Sequence, residues 1–162
     1  VSNGVKQQMK TALLSVALFT TAVTSTAADG QSLCAPLRSF VNSVKPGETR
    51  EFTFHTSWGG NFKDSQEVVI YAKRCIHNNY APAKMVCDYL MESGAVEFAG
   101  NNVKDVVTCL SPKTHFAPRF GLYRASFSFS VGSDNRGSNV EVDFYEDTEI
   151  GGMALKVNAD GY

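Results

Sequence analysis

Four cysteines, three histidines and one tryptophan are the side chains here best suited to chemistry or recognition. The cysteines are Cys34, Cys75, Cys87 and Cys109. They include no C-x-x-C pair, and no H-x-x-x-H pair accompanies them, so no zinc ligand set is expected. In an oxidising compartment an even count reads as disulfides, and spacing alone leaves three pairings open. We favour Cys75–Cys87, which would tie a strand end to the helix after it. Cys34–Cys109 would then pin the N-terminal arm to the domain. A thiol held in a disulfide is no nucleophile, so cysteine catalysis is not expected.

His55, His77 and His115 lie in no ligand or triad motif. The chain has no G-x-S-x-G elbow, P-loop or dinucleotide-binding glycine pattern. A dispersed Ser–His–Asp site stays open, because its members need not be close in sequence. The acids Asp143, Glu146, Asp147 and Glu149 lack the order and central glycine of a calcium loop. They read as a solvated hairpin link. No metal and no cofactor is expected.

Binding is the better prospect. Trp58 stands beside glycines in Ser57-Trp58-Gly59-Gly60-Asn61-Phe62, and aromatics in loops anchor partners. His77 lies in, and Arg74 just before, a polar link, Ile76 to Tyr80, that a disulfide would tie down. Trp58, Phe62, Arg74 and His77 are therefore the candidate binding residues.

The elements that must position them follow from periodicity. Leu37, Phe40, Val41 and Val44 recur at helical spacing behind Pro36, predicting a short helix in 34–44. Phe52 and Phe54 alternate with Glu51, Thr53 and His55, predicting a half-buried strand with His55 on its wetter face. Residues 67–75 are apolar on both parities from Val68 to Ala72, the pattern of a covered central strand. Pro82 opens and Gly94 follows the principal helix, whose inner face is Ala83, Val86, Cys87 and Leu90, with Met91 at its margin. Residues 95–99 read as a short strand. Val103, Val106, Val107 and Leu110 have helical spacing, but their β-branched content favours strand, so both remain open for 103–110. Three alternating runs, 123–131, 139–145 and 153–157, predict an antiparallel meander with one buried face.

Together these predict an α+β fold, mainly antiparallel β-sheet with one principal helix packed on one face and two disulfides. A β-sandwich with one inserted helix is the alternative.

Residues 1–28 read as a secretory signal peptide: Lys6 and Lys10, an apolar run from Ala12 to Val23, then small residues to Ala28. Residues 1–8, before Met9, read either as an extension of that basic start or as residues added ahead of it. Leu33 before Cys34 fits a lipid-attachment site poorly. Residues 29–162 form a single exported domain, with no later run long enough to span a bilayer. The 15 Lys and Arg less Lys6 and Lys10 leave 13 against 16 acids, a net charge of −3. Nothing in that balance draws the domain to nucleic acid or to anionic lipid. The expected product is a secreted or periplasmic, non-enzymatic binding protein, of the inhibitor or immunity type, whose partner is another exported protein. A small exported hydrolase with a dispersed His and acid pair is the alternative. A structural module that associates through strand edges is a further one.

Overall fold

A computed structural model describes Val1 and residues 32–162. The expected signal peptide therefore lies, Val1 apart, outside the described residues. Five strands form one antiparallel sheet: β1 (Thr49–Trp58), β2 (Tyr71–Ile76), β3 (Ala125–Ser133), β4 (Arg136–Glu146) and β5 (Met153–Gly161). Their spatial order is β2-β1-β5-β4-β3. Three helices, α1 (Cys34–Ser43), α2 (Ala81–Ser93) and α3 (Gly100–Leu110), cover one face. The fold class is α+β, with three helices where the sequence suggested one principal one.

The core sits between that helical layer and the sheet. Leu37, Phe40 and Val41 of α1 meet Val86 and Leu90 of α2 and Val103, Val106 and Val107 of α3. Beneath them lie Phe52, Phe54, Val140, Val142, Leu155 and Val157, which alternate inward along β1, β4 and β5. Phe40 packs edge-on against Phe52, with ring centroids 5.3 Å apart. Both favoured disulfides are formed: Cys34–Cys109 joins α1 to the end of α3, and Cys75–Cys87 joins β2 to α2.

Four expectations need correction or completion. Residues 103–110 are helical, because only a helix turns Val103, Val106, Val107 and Leu110 together into the core. Residues 95–99 are not a strand but a turn, and Phe98 is exposed. The 67–75 run is not a covered central strand. β2 begins only at Tyr71 and lies at the sheet edge, with Val68 and Ile70 outside it and exposed. His55 is buried rather than wet, because the 59–70 connection folds back over its face of β1 and sets Phe62 against it.

One close approach shapes the sheet end. Gly152 has φ +80°, and a Cβ there would lie 2.2 Å from the Thr56 carbonyl oxygen. Glycine is what lets the β4–β5 connection lie against β1.

Candidate binding groove

Strand parity decides which side chains reach the helical face near this sheet end. Phe54 points to the helices, so Thr56 and Trp58 do too, and His55 and Ser57 point away. Met153 opens β5 and Glu146 closes β4 beside them. Opposite stands the turn from Val96 into α3, and the 119–123 connection completes the walls. They enclose an open groove of about 630 Å³.

Aromatic side chains rim it. Trp58 is 55% exposed, Phe98 67%, Phe120 47% and Tyr123 88%. Those values are high for aromatic rings, and the four rings converge from three separate chain segments onto one groove. Glu97, Glu146, Lys104 and Arg119 add charges of both signs.

The walls are held firmly. The Asn102 side chain is buried and clamps the 95–99 turn: its Oδ1 accepts from the Ala95 N–H at 2.8 Å, and its Nδ2 donates to the Ala95 carbonyl at 2.7 Å. Phe120 stacks on Phe116 at 6.1 Å, and Phe116 meets the Phe127 ring edge-on at 6.0 Å. Arg119 holds φ +63°, an unusual backbone state for an arginine.

The residues singled out from sequence divide among three places. Trp58 is in the groove. Phe62 is 3% exposed on the far face of the sheet, where the Arg74 guanidinium lies 4.7 Å above its ring. Arg74 also makes a two-pronged pair with Asp64, at 2.7 and 2.8 Å. His77 sits at the β2–α2 turn, followed by Asn78 and Asn79 with φ +47° and +56°. Phe98, Phe120 and Tyr123 were not anticipated. Their only local signal is an aromatic within two residues of a glycine, which many core residues share.

One histidine does meet an acid. His55 Nδ1 lies 3.6 Å from Asp147 Oδ2, beyond hydrogen-bond reach. Burial draws the His55 pKa below its usual value; Asp147 opposes this and Arg74 adds to it. The residue is 4% exposed, and neither partner lines the groove. Asp147 is occupied with its own turn, its Oδ1 accepting from the N–H groups of Glu149 and Ile150 at 2.9 and 3.1 Å. The arrangement braces the β4–β5 connection against β1.

Fold and site together define a disulfide-linked α+β domain carrying an open, aromatic-rimmed groove. No family model, no curated protein and no solved structure matches the chain. Among the described residues, no helix is long and apolar enough to cross a membrane.

Proposed function

We propose that this chain is an exported, non-enzymatic binding protein whose groove takes a segment of another exported protein. The observation that carries this reading is the convergence of Trp58, Phe98, Phe120 and Tyr123, all exposed, on one braced groove. Exposed aromatic groups flanked by charges of both signs have the anatomy of a protein-binding hot spot with a polar rim. Two formed disulfides support life in an oxidising compartment. An inhibitor or immunity protein of an exported enzyme is the role such a domain fits, by analogy with what small disulfide-linked domains do.

The test is capture of co-exported proteins by the oxidised chain, with Trp58→Ala and Phe98→Ala alongside. Both side chains are more than half exposed, so truncation leaves the core intact. A stoichiometric partner is expected, weakened about thirtyfold or more by each substitution, the effect of losing a hot spot of about 2 kcal/mol. A partner bound equally well by both variants would overturn the groove as the site. Absence of any partner would overturn the class.

A further inference from the structure

The sheet has an edge that its sequence does not protect. β2 stands last in the strand order, and its inner ladder is fixed by the Gly59 N–H donating to the Ile70 carbonyl at 2.9 Å. Hydrogen-bonded and non-bonded pairs alternate along an antiparallel ladder. Ala72, Arg74 and Ile76 therefore turn their backbone groups to β1, and Tyr71, Lys73 and Cys75 turn theirs outward. Among the described residues, no other backbone group bonds to β2 from that outer side.

Open edges are normally guarded by charge, proline or a bulge. The only charges in β2 are Lys73 and Arg74, and both are drawn away. Lys73 Nζ donates to the carbonyls of Met91 and Glu92 at the end of α2, at 3.1 and 3.3 Å. Arg74 is held by Asp64. Exposed apolar side chains surround the edge instead: Val68, Ile70, Tyr71 and Ile76. The opposite edge differs. The apolar residues of β3, Phe127, Phe129 and Val131, pack toward the core and Ser126, Ser128 and Ser130 face out.

We propose that β2 pairs antiparallel with β2 of a second copy of this chain, joining two five-stranded sheets edge to edge. Open N–H and C=O groups call for a strand, and a two-fold axis normal to the sheet supplies one from the same sequence. Such an axis must lie midway between a residue and its own copy, so that paired side chains share a face. Centred on Lys73, it would set two ammonium groups opposite each other. Centred on Ala72, it sets Tyr71 opposite Lys73 of the other copy and Ile70 opposite its Arg74. Each Tyr71–Lys73 pair then exchanges backbone hydrogen bonds, and the Tyr71 ring lies along the apolar stem of Lys73 while its ammonium stays on the α2 carbonyls. This edge adjoins the groove, since Tyr71 pairs with Trp58 across the ladder, but no β2 residue lines the groove itself.

Sedimentation and light scattering of the oxidised exported domain, residues 29–162, over a concentration series test this. The expected result is a reversible species at twice the monomer mass. Tyr71→Pro removes one outward N–H at the first residue of the strand, where proline is tolerated. Ile70→Lys places a guarding charge at an exposed position. Each should weaken the dimer about tenfold or more, and Ser130→Lys on β3 should leave it unchanged. A chain that is monomeric throughout overturns the proposal. So does a dimer indifferent to both β2 variants, or a monomer whose β2 edge takes only a strand from a different protein.

Discussion

His55 carries an acid-sensitive part of the stability. Its imidazole is buried and its Nδ1 has no hydrogen-bond partner. Burial lowers its pKa, so protons bind more readily to the unfolded chain. Its contribution is then complete above the unfolded value of about 6.5 and declines as pH falls through it. We expect the urea midpoint to drop between pH 7.5 and 5.5, and His55→Leu to flatten that decline. Parallel profiles for the two proteins would sink the assignment. The sequence misplaced this residue for a physical reason. Alternation correctly put His55 opposite Phe52 and Phe54, but whether that face is wet depends on the 59–70 connection, which returns to lay Phe62 on it. Local period reports the face of a strand, and only tertiary structure reports what covers the face.

Among the elements, α2 is terminated by a side chain from a neighbouring strand. Lys73 places its ammonium among the last carbonyls of that helix, Leu90, Met91 and Glu92, where the helix dipole is negative. Burial lowers its pKa, the effect of taking the ammonium partly out of water. Lys73→Met keeps most of the apolar stem and removes the charge. It should cost about 1 kcal/mol in chemical unfolding, and no change in midpoint would show that the contact is idle. The start of α2 was legible, since Pro82 and the stripe Ala83, Val86, Cys87 and Leu90 agree. In α3, the β-branched Val103, Val106 and Val107 argue locally for strand, and burial of all three on one helical face decides the matter. β2 failed for the converse reason. Its apolar run resembles a covered strand, and the edge position that leaves it uncovered is set by pairing order.

For the whole molecule, the two disulfides do unequal work. Cys34–Cys109 spans 75 residues and Cys75–Cys87 spans 12. Loop-closure entropy gives about 4 kcal/mol for the longer and about 3 kcal/mol for the shorter. Replacing Cys34 and Cys109 together by Ala should thus lower the thermal midpoint more than replacing Cys75 and Cys87. The reverse order would assign the stabilisation to local strain relief or packing instead. The cysteine count announced both bridges and the alternating runs announced the sheet. The groove was far less legible, because Trp58, Phe98 and the Phe120–Tyr123 pair come from distant segments. Only Trp58 had a local signature, and no period in the sequence encodes the approach of the 95–99 turn to the ends of β1 and β4.

The two bridges are also nested: the 75–87 link lies wholly inside the span of 34–109. A polypeptide emerging from its N-terminus presents Cys34 long before Cys109, and it presents Cys75 and Cys87 in the interval. An oxidant that joins thiols in order of appearance would couple Cys34 to Cys75 and then Cys87 to Cys109, neither of them a native pair. Under such an oxidant, reaching the native pattern requires that the Cys75–Cys87 loop between β2 and α2 close while Cys34 is still reduced, or that a wrong bond be reshuffled. The outer ring can close only once the last turn of α3, which carries Cys109, has appeared.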